Sequence, residues 1–343
     1  MKALELVAPS TLTLVERPDP VPGGREVLVR VKACGICGSD IHGMDGSSGR
    51  RVPPVIMGHE ASGVVEQVGD AVGEVVAGDR VTFDSTVFCG ECGYCEGGQV
   101  NLCAHRQVMG VSCAEFKRDG AFAELVSVPA HILHKLPEGL SFEEAAFAEP
   151  VGVALHAVRR VSPQAGETAV VVGAGLIGLL VVQALKRAGC GQVIAVDLDR
   201  ERLALAQMLG ATGGFHALED DVAGAVSAAT TGEGADIVME VVGATATVQL
   251  AISVARKGGR IGLVGNLAPS VEFPLQAVVT RELSVFGSCA IAGEYPEALE
   301  AIASGEIAVR PLISALVPLA EGAGWFAKLA AGKEPLLKVI LVP

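Results

Sequence analysis

The sequence predicts a two-part protein of the α/β class. Its N-terminal portion is mostly β, and a parallel sheet with helices on both faces lies downstream of Pro163. Three observations carry this. Apolar runs alternate with amphipathic helical stretches through the middle of the chain, as successive β-α-β units require. The first 150 residues instead show short alternating strands punctuated by Gly, Pro and Asp. A length of 343 residues is enough for two separate cores.

Composition narrows the function classes. Half the residues are apolar and 43 are glycine, which marks a turn-rich globular chain and not a disordered one. A net charge of −13 opposes polyanion binding and no basic run overrides it, so no nucleic acid partner is expected. No apolar signal segment follows Met1, and the expected location is the cytoplasm, where nine cysteines stay reduced.

Taken in order, Val27–Val31 reads as a strand of the β-rich portion. Then come Cys34-Gly-Ile-Cys37-Gly-Ser39-Asp40-Ile-His42, Gly58-His59-Glu60 and, much later, Glu149-Pro150. A thiolate, an imidazole and a carboxylate from separate segments suit a catalytic zinc with one position left open. Spacing does not choose between Cys34 and Cys37, which as a pair also suit a redox couple or a shared ion. Nor does it show that the three segments meet.

Cys89, Cys92, Cys95 and Cys103 use four of the nine cysteines within fifteen residues, with glycines between them. Such thiolates wrap one tetrahedral ion, and structural zinc is the expectation. Disulfides fit poorly with an odd cysteine count and a reducing compartment. An iron–sulfur run also opens Cys-x2-Cys-x2-Cys, but its fourth cysteine follows after three residues and precedes proline. Here Cys103 follows after seven and precedes Ala104.

Beyond Pro163, Ala169–Val172 leads into a helix over about 176–188, and Val193–Val196 into one over about 200–209. Asp236–Val241 leads into a helix near 245–255, and Arg260–Val264 and Leu283–Phe286 close the series. Helical patterning returns at Tyr295–Ser304 and Gly322–Ala331, before a last strand at Lys338–Val342. The uncharged stretch Thr168–Leu185 has nearly the length of a membrane span. Its glycines divide a β-branched run from a helical one, so a buried strand and helix are expected and no membrane association.

Gly173-Ala-Gly175-Leu176-Ile177-Gly178 follows a predicted strand and opens a predicted helix. The first glycine permits a tight turn, the second admits a pyrophosphate, and the third allows close helix–strand packing. The helix N-terminus presents free N–H groups to the phosphates. Asp197 ends the next strand, where a carboxylate binds the adenosine ribose and repels a 2′-phosphate; this predicts NAD over NADP. The alternative for Asp197 is a helix N-cap before Asp199-Arg-Glu-Arg. Arg202 beside the adenine and Val264 at a later strand end complete the expected cofactor contacts.

Together, CGICGSD-x-H, GHE, the four-cysteine lobe, AEP (148–150), GAGLIG, GAFAE (120–124) and GSCA (287–290) give a resemblance across essentially the whole chain. The chain resembles the zinc-dependent medium-chain dehydrogenases of the alcohol dehydrogenase superfamily, nearest the sorbitol and polyol dehydrogenases. The resemblance implies a GroES-like zinc-binding catalytic domain from residues 1–150 and 288–343, around a Rossmann NAD-binding domain at 151–287. It implies Cys37, not Cys34, as the first ligand of the catalytic zinc, His59 as the second and Glu60 as the third. Glu149 matches a carboxylate that approaches the same zinc directly or through water; liver-type alcohol dehydrogenases place a second cysteine near there. Cys34 is then a buried small hydrophobe.

The implied reaction is NAD-dependent oxidation of a secondary alcohol, on a polyol or sugar-derived substrate, to a ketone. Ser39 passes the released proton through the cofactor ribose to His42, and Asp40 orients His59. Two zinc ions per chain and a homodimer or homotetramer follow from the same resemblance. Within the class, simple secondary alcohols, butanediol or threonine are the alternative substrates. Outside it stand an NADH-linked iron–sulfur electron carrier, which would be brown, and a non-catalytic NAD sensor, which needs no open metal position. Phe116 either shapes the substrate pocket or packs. His105, His131, His134, His156 and His216 read as surface or satisfied interior residues, and Cys113, Cys190 and Cys289 as core residues or free thiols.

Overall fold

The computed structural model describes all residues from Met1 to Pro343, which form two compact units. One comprises Met1–Glu149, Ile291–Gly305 and Val309–Pro343, and the other Pro150–Ala290 with Glu306–Ala308. The chain leaves the first unit for the second inside a single helix, Ala148–Val161. No helix is long and apolar enough to cross a membrane.

In the second unit, six parallel strands stand in the order Gly213–His216, Gln192–Asp197, Thr168–Val172, Ala235–Glu240, Ala255–Leu263, Ser284–Gly287. Numbered along the chain this is 3-2-1-4-5-6, the doubly wound order whose ligands bind beyond the strands' carboxyl ends. Val170, Val172, Ile194, Val196, Val238 and Ile261 are buried in its core, which is why these strands read as continuous apolar runs.

The series contains elements that the apolar pattern does not announce. Gly213–His216 holds no β-branched residue; its pairing with Ile194–Asp197, and not propensity, makes it a strand. The helices Val222–Ala229 and Leu275–Thr280 are likewise additional. Residues 306–308 join this unit through Gln183, whose amide donates to Ala308 O at 3.2 Å and accepts from Ala308 N at 2.7 Å. Arg187 adds an ion pair to Glu306 at 2.6 Å.

In the first unit the long strand Glu26–Gly35 organises the main sheet. Glu60–Val68 pairs along one edge, followed by Arg80–Phe83 and Leu133–Lys135. Leu125–Pro129 takes the start of the other edge, and the C-terminal strand Lys338–Val342 takes its end. Ile313–Pro318 then pairs in parallel with that last strand. Val27, Val29, Val31, Val65, Val81 and Phe83 fill the core, where Phe122 and Phe326 meet edge to face at 5.6 Å.

A close backbone crossing steadies the segment that carries His59. Gly120 N donates to Ile56 O at 2.7 Å, Ala121 N to Gly58 O at 2.8 Å, and Phe122 N to Met57 O at 2.9 Å. A Cβ at Gly120 would lie 2.2 Å from Gly58 O, and its nearest neighbours are all backbone atoms, with no flexible side-chain end to yield. Gly120→Ala is therefore expected to destabilise the protein by about 1–3 kcal/mol. A denaturant midpoint unchanged from the parent would contradict this account of the crossing.

Candidate metal centre and nucleotide loop

Three local devices bring one donor set together. Cys37 caps the short helix Gly38–Gly43, its N–H donating to Asp40 Oδ2 at 3.3 Å, so the chain turns immediately after the thiol. Gly58 precedes His59 with φ +96°, and a Cβ there would sit 2.8 Å from Phe122 N, so only glycine turns the chain at that point. Glu60 opens its strand directly opposite Gly35. The Cys37 sulfur and one ligand atom each from His59 and Glu60 lie within 4.8 Å of one another. His59 and Glu60 are buried and Cys37 is partly so. Thiol, imidazole and carboxylate at this spacing fit a catalytic zinc ion.

Asp40 stands behind His59. It is fully buried, accepts from Arg51 Nη2 at 2.9 Å, and faces His59 Nδ1 at 3.4 Å. Burial opposes its ionisation, but the charges of His59 and Arg51 hold its carboxyl well below the usual carboxylate range. Burial likewise disfavours a charged His59, yet Asp40 and Cys37 outweigh it and raise the imidazole well above its ordinary value. A metal ion entering there displaces that proton, while Asp40 keeps the ring oriented.

Cys34 lies outside the group. It is fully buried in the sheet core, and burial, then Asp40 and Glu60, push its thiol well up. Glu149, expected near the zinc, is not among the three converging side chains. It sits in the first turn of Ala148–Val161, where Oε1 accepts from Ser85 Oγ at 3.4 Å. Burial, offset by His59 and reinforced by Glu60 and Asp84, pushes its carboxyl up to about 7. Ser39 and His42 are both exposed on the helix that Cys37 caps. Phe116, Cys113 and Cys190 are half-buried and Cys289 is exposed, so none of the three cysteines is a core residue. His156 and His216 are buried, His134 stacks on Tyr295 at 4.7 Å, and His105 and His131 are exposed.

The second cluster is the cysteine lobe. Its sulfurs stand 3.5 Å apart for Cys92–Cys95 and Cys89–Cys103, and 3.9 Å for Cys89–Cys95. A tetrahedron with zinc–sulfur bonds of about 2.3 Å has edges of about 3.8 Å, so the spacing of these sulfurs fits one ion and is too tight for a cluster. Backbone N–H groups of Cys89 and His105 point at Cys103 Sγ, each at 3.3 Å, and that of Ala104 at Cys92 Sγ at 3.5 Å. The Ala104 N–H, followed by backbone contact at Cys95, lowers the Cys92 thiol to about 6.

In the second unit, the loop Gly173–Gly178 follows the strand Thr168–Val172 and opens the helix Leu176–Arg187. Gly173 has φ +102°, and a Cβ at Gly178 would lie 1.8 Å from Gly173 O. Gly175 differs: a Cβ there meets nothing within 4 Å, and no side chain caps the helix. Open space above an uncapped helix N-terminus fits a pyrophosphate. Leu176 and Ile177 are half-buried in the helix's first turn, and Val264 lies just past a strand end, its N–H donating to Glu240 O at 2.9 Å.

Asp199, not Asp197, is the N-cap of the helix Arg200–Met208, accepting from Glu201 N and Arg202 N. Asp197 instead turns toward the glycine loop, Oδ2 accepting from Ala174 N at 2.5 Å and Oδ1 from Asp199 N at 3.0 Å. Arg202 is half-exposed, with Nε 3.6 Å from Asp199 Oδ2.

Three residues at the metal centre have no motif to announce them: Arg51 behind Asp40, Ser85 beside Glu149, and Lys338 on Glu60. Lys338 Nζ lies 2.5 Å from Glu60 Oε2 and 3.0 Å from Ile36 O. The one sequence signal is for Lys338, a single charge inside the apolar run Leu336–Val342.

Comparisons with known proteins agree with this geometry. Residues 23–138 match the model of the alcohol dehydrogenase GroES-like domain, and residues 177–304 that of the zinc-binding dehydrogenases. The chain is 33% identical to the sorbitol dehydrogenase of Bacillus subtilis (strain 168), over 100% of this chain and 97% of that protein. It is 37% identical to a protein of Arthroderma otae named Probable D-xylulose reductase A, over 93% and 91% of the two chains. A solved zinc-binding dehydrogenase from Sinorhizobium meliloti 1021, with NADP bound, superposes with a TM-score of 0.92 at 33% identity, covering 100% of this chain and 99% of that one. The chain belongs to the zinc-dependent medium-chain dehydrogenases of the alcohol dehydrogenase superfamily, on their polyol dehydrogenase branch.

Proposed function

We propose that this protein oxidises a secondary alcohol, on a polyol or sugar-derived substrate, to the ketone with NAD. The observation that carries the reading is the buried convergence of Cys37, His59 and Glu60 in a chain that matches a sorbitol dehydrogenase from end to end. When bound, zinc supplies Lewis-acid polarisation of the alcohol oxygen and the nicotinamide accepts a hydride. Cys37, His59 and Glu60 hold the metal, and Asp40, backed by Arg51, fixes the His59 ring. Glu149 approaches the same site as a carboxylate outside the three ligands. Ser39 and His42 move the alcohol proton outward, a role that suits their exposure on one short helix.

Gly173, Gly175, Leu176, Ile177 and Gly178 cradle the pyrophosphate, Asp197 binds the adenosine ribose, and Arg202 and Val264 flank the cofactor. The catalytic role falls to the unit Met1–Glu149, Ile291–Gly305 and Val309–Pro343 and nucleotide binding to Pro150–Ala290 with Glu306–Ala308, where the sequence expectation is 1–150 with 288–343 and 151–287. Cys89, Cys92, Cys95 and Cys103 hold a second, structural zinc, and the protein works in the cytoplasm as a homodimer or homotetramer. A panel of polyols, sugar phosphates, butanediol, simple secondary alcohols and threonine, followed by nicotinamide absorbance, tests the substrate class. Failure of every polyol while another member reacts would move the assignment within the family.

Cys37→Ala is expected to abolish turnover and remove one zinc per chain while NAD still binds; retained activity would overturn the ligand set. Asp197→Ala should raise the NADP/NAD ratio of kcat/KM about tenfold or more, since it removes charged hydrogen bonds to the ribose. A wild-type enzyme that uses NADP as well as NAD, as its NADP-bound relative invites one to check, would refute the role given to Asp197. Cys92→Ser should cost the other zinc and lower Tm, with metal analysis and calorimetry reading both; full zinc content would contradict a four-cysteine site.

A further inference from the structure

We propose that Lys338 is a positioning residue at the metal centre, a built-in counter-cation. It occupies one oxygen of Glu60, keeps the acidic site assembled before a metal enters, and loosens the site's hold on that metal. The inference rests on Cys37, His59 and Glu60 being the metal ligands.

The sheet ladder builds this contact. Gly35 faces Glu60 on one neighbouring strand and Ile340 on the other. Lys338 lies two residues before Ile340, so its side chain emerges on the same face as Glu60. Gly35 between them leaves a gap: a Cβ there would lie 2.4 Å from Glu60 Oε2 and 3.2 Å from Lys338 Cδ. Through that gap the ammonium reaches Glu60 Oε2 at 2.5 Å and Ile36 O at 3.0 Å. Both partners are almost wholly enclosed, Lys338 at 2% exposure and Glu60 at 1%.

Burying an ammonium is expensive, and replacing a whole buried ion pair by apolar side chains is often neutral or stabilising. Lys338 also stands among Val339, Ile340 and Leu341, all fully buried, where packing alone calls for no charge. Its charge answers the acids instead. Asp40 has Arg51, whereas Glu60 has Lys338 as its one ion-pair partner. With Glu60 Oε2 engaged, the other oxygen remains for a metal. A positive charge held this close, in a site shielded from water, also opposes the entry of a dication. Replacing Lys338 with an apolar side chain thus frees Glu60 for the metal and leaves the metal-free site with uncompensated acids.

The test uses full-length protein, zinc and a chromophoric chelator, following the one zinc ion that Cys37→Ala loses. Lys338→Met is expected to hold that ion about tenfold or more tightly. Its metal-free form should fall further in Tm below the metal-free parent than the two loaded forms differ. A folded Lys338→Met protein with equal or weaker zinc affinity overturns the proposal. Should Lys338→Met alone not fold, the charge-neutral pair Glu60→Gln with Lys338→Met decides. A folded metal-free double variant supports the counter-cation role, and a double variant that also fails to fold assigns Lys338 to packing. A Cys37→Ala protein that keeps all its zinc refutes the ligand set itself. Loss of that zinc together with unchanged affinity in Lys338→Met refutes the counter-cation alone.

Discussion

The backbone ladder at Gly35 is the constraint on which the metal centre depends. One residue, paired on both edges, ties the strand that begins with Glu60 to the C-terminal strand that carries Lys338. Glu60 and Lys338 stand 278 residues apart in the chain, and closing such a loop costs entropy that grows only slowly with its length. The ladder and the apolar faces of Val29, Val31, Val339 and Leu341 offset that cost. Cys37 then follows Gly35 by two residues, so the same strand end sets both the thiol and the carboxylate.

Charge at the centre is arranged in two layers. Cys37, His59 and Glu60 face one another, and behind them Arg51 and Lys338 each take a carboxylate. Removing one member of such a buried pair leaves an uncompensated charge, which is far costlier than never having had the pair. This explains why the outer residues matter although they belong to no recognisable motif. Glu149 stands at the edge of this system, its carboxyl pushed up to about 7 by burial and by the acids around it. The cysteine lobe is simpler: four sulfurs converge within a short loop at the spacing of one tetrahedral ion, with backbone N–H groups directed at two of them.

Glycine does different work at each site. At Gly120 and Gly178 the absence of a side chain lets two backbones touch, whereas at Gly175 it leaves space free for a ligand. Position in the GxGxxG run already predicts this difference between Gly175 and Gly178, whereas at Gly120 only the distances reveal it.

The doubly wound sheet was legible in the sequence because fully buried strands must be apolar throughout and because helices answer them at regular intervals. The cysteine lobe was equally legible, its ligands being local: fifteen residues of chain contain the whole site. Spacing showed the GHE and Cys-x2-Cys segments as chemistry but not as one site, since nothing local brings Cys37 to His59; only the family resemblance joined them. Gly213–His216 escaped because pairing, not side-chain preference, makes it a strand. Asp197 or Asp199 as helix cap was settled by which carboxylate meets the free N–H groups of Glu201 and Arg202. Arg51 was decided by tertiary structure alone, and for Lys338 the sequence offered only an isolated charge in an apolar run. A buried cation is recognisable only from the carboxylate across from it, and here the strand register, with Gly35 leaving the gap, selects that carboxylate.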